Sequence, residues 1–387
     1  MLPGYWWLNP RILWGTTRIP LINLLRARFV KNQIVSRNFA ECSHGKLVGF
    51  GNPLLDISAH VDTKFLEKYG LKSNDAILAT EKHMEIFQEL VKNYKVEYIA
   101  GGSVQNTLRV CQWIINRPCT AVFFGGVGKD KYADIIEEKA RIDGVDTLYQ
   151  VNDKAPTGTC AVLITGNDRS LVANLAAANF FTEDHLKIPE NDEVLKNAEY
   201  IYISGFFISV SPPSIRRAAK IAVEGNRFFM MNLSAVFVLD LYKDFIMEIF
   251  PYVDTLFGNR EEMLAFSEHI GKWDTKDVIK IAQNMVKYEK VNKKRKRLIV
   301  ITQGYDPVLV VQEDSVKEYD VPRATLIVDT NGAGDAFVGG FLSQFVNRKG
   351  LKACLHCGVW AASKIIQTHG CTFDGPADYV PLDESKQ

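Results

Sequence analysis

Nine consecutive residues toward the C-terminus, Asp329-Thr330-Asn331-Gly332-Ala333-Gly334-Asp335-Ala336-Phe337, set two carboxylates on either side of a glycine-rich turn. An apolar run at 324–328 precedes them and reads as a strand, and a run of small residues at 336–345 follows and reads as a helix. Gly332 and Gly334 flank Ala333, so the main chain can turn tightly and present successive N–H groups, and a helix starting there adds the positive end of its dipole. Such a turn welcomes a phosphate. A carboxylate inside it needs a reason, and the donors around Asp335 predict a depressed pKa. The chemistry that fits is a general base: Asp335 takes a proton from a substrate hydroxyl while Asn331, Gly332, Ala333 and Gly334 hold the phosphoryl group in transfer. An acid that merely caps the helix is the plainer alternative.

The string resembles the second signature of the ribokinase-like carbohydrate and nucleoside kinases. The likeness extends from about Lys46 to Phe373 and is strongest to the members that phosphorylate adenosine. It runs through Gly49-Phe50-Gly51-Asn52-Pro53-Leu54-Leu55-Asp56-Ile57-Ser58, Gly101-Gly102-Ser103-Val104-Gln105-Asn106, Pro156-Thr157-Gly158-Thr159-Cys160-Ala161, Arg169-Ser170-Leu171-Val172-Ala173-Asn174-Leu175-Ala176-Ala177-Ala178-Asn179 and Phe257-Gly258-Asn259. Several motifs in one order are far more specific than any one of them.

These motifs supply a candidate site. Asn52 and Asp56 follow the first predicted strand, and a carboxylate there can accept from two adjacent hydroxyls, as on the 2′ and 3′ carbons of a ribose. Gly101, Gly102 and Ser103 precede a helix starting near Val104, where their N–H groups would hold sugar hydroxyls and Ser103 would serve as N-cap. Asn106, one turn in, points to the same place. Phe206 is the candidate stacking partner for a purine, with Leu171, Ala173 and Leu175 alternating on one face of a predicted hairpin to close the other side. By resemblance Cys160 lines the same pocket. Arg169, at the hairpin tip, would swing toward the transferring phosphates. Asn259 and Glu262 resemble the family's N-x-x-E element, which would orient water around Mg²⁺, although a helix cap followed by first-turn acids reads the same way.

The chain departs from the family pattern in three places. Asn74-Asp75-Ala76 stands where glutamine is expected after Asn-Asp, removing one purine contact. Val359 replaces a histidine expected in the wall of the ATP adenine pocket, and Asp130-Lys131-Tyr132-Ala133 replaces Asp-x-Phe-Gly.

Positioning these residues requires a sheet. Strand patterns at 47–50, 97–100, 120–124, 200–203, 228–232, 255–258 and 298–302 alternate with helix patterns at 81–94, 103–115, 133–141 and 214–224. That order predicts a parallel sheet covered on both faces, with ligands at the carboxyl ends of its strands. Segments 156–166 and 170–178 read as a β-hairpin turning at Gly166-Asn167-Asp168. With 57–61 and 77–79 they predict a small second sheet, which the resemblance implies is a lid over the nucleoside. The fold class is therefore α/β: a ribokinase-like, central, mostly parallel sheet with helices on both faces and a small β-sheet lid. One kinase domain is expected over 46–375, with lid strands within 57–80 and 147–179, and a tail at 376–387.

The composition fits a small-molecule enzyme. The 387 residues are 47% hydrophobic with formal net charge +1, enough for a large core and no field for gripping nucleic acid. No run reaches the ~18 apolar residues of a spanning helix, so no membrane partner is expected. Seven scattered cysteines suggest reduced thiols and a cytosolic protein. Cys354-Leu355-His356-Cys357 has metal or redox spacing but lies in a helix pattern without a second ligand pair. Residues 1–45 form an extension whose first forty residues contain arginines and no acid, interleaved with tryptophans and leucines. This resembles a mitochondrial presequence, but Pro3, Pro10 and Pro20 interrupt it, and a disordered extension is the alternative. Lys293-Lys294-Arg295-Lys296-Arg297 reads as a solvated loop before a strand, with a nuclear signal as the rival.

The resemblance implies a monomeric enzyme that binds adenosine and ATP, uses Mg²⁺, and transfers the γ-phosphoryl group to the 5′-hydroxyl, giving AMP and ADP. A sibling kinase for another nucleoside or a sugar, and a catalytically retired nucleoside-binding member, are the rivals. A dehydrogenase is disfavoured because no G-x-G-x-x-G follows the first strand.

Overall fold

The computed structural model describes residues 45–382 apart from 74, 167 and 325. The expected N-terminal extension thus lies outside the described residues except for Gly45, as does the end of the expected tail. In chain order the strands among the described residues are β1 (Leu47–Phe50), β2 (Leu54–His60), β3 (Ala76–Leu78), β4 (Glu97–Gly101), β5 (Ala121–Gly128), β6 (Asp146–Asn152), β7 (Thr159–Thr165), β8 (Asp168–Asn174), β9 (Tyr200–Ser204), β10 (Phe228–Asn232), β11 (Thr255–Asn259), β12 (Leu298–Gln303), β13 (Asp306–Gln312) and β14 (Ser315–Tyr319).

The larger sheet has the order β14-β13-β12-β11-β10-β9-β1-β5-β6. It is parallel from β12 to β6 and closes with two antiparallel strands at the other edge. Strand β9 explains why both faces must be covered: its Tyr-Ile-Tyr-Ile run points alternate apolar side chains to opposite sides. Ile201 and Ile203 join one core with Phe229, Leu256 and Ile299, and Tyr200 and Tyr202 join another with Met230, Phe257 and Val300.

Helix α1 (Ser103–Ile115), α2 (Arg260–Ala265), α3 (Ala333–Val346) and α4 (Leu351–Ile365) matter most for the site. The small residues of α3 let it lie against both neighbours: a Cβ on Gly339 would sit 2.6 Å from the Thr107 carbonyl oxygen, and one on Gly340 would sit 2.4 Å from that of Cys357.

The smaller sheet has the order β3-β8-β7-β2-β4, with β7 and β8 forming the expected hairpin. Strand β4 does not belong to the main sheet, as its place in the alternating pattern implied. It pairs antiparallel with β2, Asp56 opposite Ile99, and its exposed Glu97 and Tyr98 suit a sheet with one wet face. Conversely β6, inside the span set aside for the lid, runs parallel to β5 at the edge of the large sheet. The hairpin also stops earlier than expected, because residues 176–180 form a 3₁₀ turn.

Segment 324–328 forms no strand among its described residues. Leu326 and Ile327 are 55% and 58% exposed, and the N–H groups of Val328 and Asp329 donate to the Ile366 carbonyl at 2.8 and 3.2 Å, just beyond α4.

The basic run at 293–297 is not a wholly solvated loop. Arg297 is buried and donates to the carbonyls of Phe250, Val253, Met285, Tyr288 and Glu289, burial lowering its pKa to about 10. Arg295 pairs with buried Asp254. Cys354 and Cys357 are buried on α4, as expected for packed helix cysteines.

Candidate active site

Carboxyl ends of β1, β9, β10, β11 and β12 open into one cavity of about 320 Å³, roofed by β2, β7 and β8 and floored by the start of α3. Strand β1 lies between β9 and β5, so chain order reverses beside it, the place where open α/β sheets leave a crevice.

Gly332 caps α3 with φ +79°, a backbone that side-chain-bearing residues avoid. A Cβ on Gly334 would meet nothing within 4 Å, because that side of the turn is the cavity. In the first turn of α3 the Gly334 and Asp335 N–H groups are left for a ligand, whereas, against expectation, the Asn331 N–H is spent on Asp329 Oδ1 at 2.8 Å and the Ala333 N–H on the Thr330 carbonyl at 3.2 Å. Asn331, Gly332, Gly334 and Asp335 line the cavity, whereas Ala333 does not.

Asp335 is clamped from α1. Ser103 Oγ donates to Oδ1 at 2.7 Å and Asn106 Nδ2 to Oδ2 at 3.2 Å. Ser103 is the first residue of α1 and spends its hydroxyl on Asp335; Gly102 occupies the N-cap position instead. Burial raises the Asp335 pKa to about 6, against the partial lowering by those two hydrogen bonds. The expected depression is thus reversed, since losing water outweighs gaining two donors.

Asp56 projects from β2 across from Cys160 and packs against the main chain of β4. A Cβ on Gly101 would lie 2.2 Å from Asp56 Oδ1, so only glycine leaves room for the carboxylate. Gly101 thus shapes the site from behind, while Gly102 lines the cavity. Burial, then the charge of Asp335, lifts the Asp56 pKa to about 7, with Arg109 pulling it back and Asp329 adding to the rise. Asn52 donates to the Phe206 carbonyl at 3.3 Å, and its own amide oxygen is buried without a partner on the cavity wall. A buried acceptor left open in this way calls for a ligand donor.

Opposite these polar groups, Phe206 lies 6.0 Å from Phe237, their rings tilted by 34°. Leu171 and Ala173 on β8, Leu175 just beyond it, and Cys160 on β7 line the facing wall. Burial, with the nearby Asp56 charge, pushes the Cys160 thiol well above its ordinary pKa, so it packs as an apolar group.

One candidate sits differently from expectation. Arg169 is neither at the solvent-exposed tip nor on the cavity: it is buried in β8, its Nε 3.1 Å from Asp329 Oδ1 and its Nη2 donating to the Val328 carbonyl at 3.0 Å. It thus ties the lid to the segment that leads into the cradle. Asn259 and Glu262 line the cavity and also form a full capping box on α2. Asn259 donates through its backbone N and Nδ2 to Glu262 Oε2 and Oε1 at 3.0 and 2.9 Å. Burial lifts the Glu262 pKa to about 7, the Asn259 backbone N–H opposing the rise.

Residues 63–378 match the pfkB family carbohydrate kinases, most of the chain. The chain belongs to that family. Adenosine kinase 2 of Arabidopsis thaliana is 46% identical over 338 residues, covering 87% of this chain and 97% of the plant protein. The crystal structure of Anopheles gambiae adenosine kinase in complex with P1,P4-di(adenosine-5) tetraphosphate aligns with TM-score 0.84 at 53% identity, covering 87% of this chain and 99% of that one. Schistosoma mansoni adenosine kinase in complex with adenosine and AMP aligns with TM-score 0.82 at 33% identity, covering 87% of this chain and all of that one.

Within this pfkB-family chain several cavity residues escaped the sequence reading. Asn232 ends β10, Thr302 lies one residue from the end of β12, and Phe237 follows β10 by a short turn. The first two carried a usable signal, a polar residue at the carboxyl end of a predicted parallel strand. Phe237 carried none, since an aromatic in a short helix reads as core. Ala76 lines the cavity as its place in the motif suggested, whereas Val359 packs in the core beneath the sheet and not on the cavity wall.

Proposed function

We propose that this pfkB-family kinase phosphorylates adenosine to AMP at the expense of ATP, with Asp335 as the base. The observation that carries the reading is a buried carboxylate held at a pKa of about 6 inside a turn of open N–H groups, 2.7 Å from the Ser103 hydroxyl. A base poised near neutrality can accept the 5′-hydroxyl proton as O5′ attacks the γ-phosphorus in line. The bond between that phosphorus and the β–γ bridging oxygen breaks, and ADP leaves. The α3 turn receives the charge that builds on the phosphoryl oxygens, with Arg169 reaching the same group once it leaves Asp329. Asp56 takes the ribose diol, the open Asn52 oxygen a further donor, and Phe206 with the lid face the purine. Adenosine, AMP and a dinucleotide in the related structures support this choice of ligand.

Asn259 and Glu262 fit a magnesium ion held at one remove. Both Glu262 oxygens already accept from Asn259, and among the described residues no three His, Cys, Asp or Glu converge as a metal site. Asn259 and Glu262 would hold such an ion at one remove, and it would supply charge neutralisation on the transferring phosphates. No helix among the described residues is long and apolar enough to cross a membrane, and we place the activity in the cytosol, or in mitochondria if residues 1–45 act as a leader.

ADP formation measured across adenosine, inosine, ribose and fructose tests the substrate, with adenosine expected to have the highest kcat/KM. A sugar phosphorylated as efficiently would reassign the enzyme to its sugar-kinase siblings. Asp335→Asn should lose about 10²–10⁴-fold in kcat while calorimetric adenosine affinity holds.

A further inference from the structure

We infer that Arg109 is a positioning residue for phosphoryl transfer: it fixes the Asn106 amide and, through that amide, the carboxylate of Asp335. The inference rests on reading Asp335 as the base.

Arg109 lies on α1 with no exposed surface. A buried guanidinium is costly unless its donors are used. Its Nε donates to Asp143 Oδ2 at 2.7 Å, which would satisfy a simple ion pair. The group reaches further inward, however, and Nη1 lies 3.2 Å from each of three acceptors: the Ala100 carbonyl, Asn106 Oδ1 and the Cys371 carbonyl.

Each acceptor belongs to a different part of the site. Ala100 precedes Gly101, whose main chain backs the Asp56 carboxylate. Cys371 backs the cradle, its Cβ 3.0 Å from where a Cβ on Gly332 would stand. Asn106 bonds the base itself.

The Asn106 contact has a direction that chemistry imposes. A guanidinium only donates, so the amide must turn its oxygen to Arg109, and its NH₂ group then faces Asp335. The reverse orientation would set an amide oxygen against a carboxylate and an amide NH₂ against a guanidinium. Arg109 thereby selects the orientation that donates to the base and keeps it ionised. Nothing else among the described hydrogen bonds engages the Asn106 oxygen.

A double-mutant cycle tests this. Arg109→Gln, Arg109→Lys, Asn106→Ala and the Arg109→Gln/Asn106→Ala pair are compared for kcat and calorimetric adenosine affinity, with Asp335→Asn as reference. Arg109→Gln should lose roughly tenfold or more in kcat with affinity within about threefold, a split that general loosening of the fold would not produce. Arg109→Lys, with a charge and three donors, should recover most of the rate. On the Asn106→Ala background Arg109→Gln should cost less than about twofold more, because its route to the base is already cut. Losses that multiply, or an affinity loss matching the kcat loss, would overturn the inference. If Arg109→Gln does not fold, Arg109→Met replaces it, since Asp143 keeps Lys139 at 3.4 Å as a partner. Failure of both to fold beside a fully active Arg109→Lys assigns Arg109 to the fold alone. A surviving rate in Asp335→Asn sinks the base reading, whereas a dead Asp335→Asn with multiplying losses sinks only the role of Arg109.

Discussion

Asp335 is poised by two opposed influences, burial lifting its pKa to about 6 and the hydrogen bonds from Ser103 and Asn106 drawing it back. The base works ionised, so kcat should fall as pH drops through that region. Removing one of the two restraining donors must raise the pKa further. Ser103→Ala should therefore move the acid limb of the kcat profile to higher pH, by about one unit, and cost more rate at pH 6 than at pH 8. A profile at saturating adenosine and ATP checks it, and an unmoved limb would mean that the 2.7 Å bond does not tune the base. The same residue shows where sequence reasoning stops. Donors near Asp335 are visible in the motif and argue for a depressed pKa, but the desolvation that outweighs them depends on α1 and the lid closing over the site from more than a hundred residues away.

Elements were legible in proportion to how fully burial dictates their pattern. Strands such as β9 and β10, apolar on both faces, declared themselves because nothing but a covered sheet accommodates them. Strand β4 announced a strand but not its sheet, since the choice between pairing with the main sheet and folding back on β2 rests on tertiary contacts around Gly101 and Asp56. The 324–328 run misled for the opposite reason: it is apolar enough for a strand, yet the Val328 N–H is taken up beyond α4 and Leu326 and Ile327 face water. Arg169 was legible as a residue and not as a position. Its buried pairing with Asp329 couples β8 to the approach to the cradle, and Asp329 keeps two other partners, accepting from Asn331 N at 2.8 Å and Gly370 N at 2.9 Å. Losing the arginine therefore does not orphan the acid. Arg169→Ala should lower kcat at least tenfold while adenosine affinity stays within about threefold, because its charge is needed only as phosphate charge redistributes. Arg169→Lys should not restore the rate, lacking the planar fork that serves Asp329 and the Val328 carbonyl together. An equal loss of affinity would make Arg169 a ground-state clamp on the nucleoside.

At the scale of the whole molecule, the site holds a reserve of unfavourable charge. Burial raises the pKa of Asp56 to about 7, of Glu262 to about 7 and of Asp335 to about 6, all above the ordinary carboxylate range. Between the unfolded and folded values the folded chain binds more protons than the unfolded one, so stability from these groups falls as pH rises and the penalty is complete above about pH 7. The ligand-free enzyme thus carries its largest electrostatic strain at the pH where it must act, and a large core covered on both faces of the main sheet offsets it. Replacing the base by its neutral isostere should release part of that strain. Asp335→Asn should raise the melting temperature of the free protein by a few degrees near pH 8, consistent with on the order of a kcal/mol or more in a chain of this size. The gain over wild type should shrink as pH falls through 6 and vanish near pH 4, where the wild-type carboxyl is itself neutral. Thermal melts of both proteins from pH 4 to 8.5 without ligand supply the comparison. A variant that melts lower than wild type at pH 8 would show that the Ser103 and Asn106 hydrogen bonds outweigh the desolvation of Asp335, and that the base is a stabilising element of the fold.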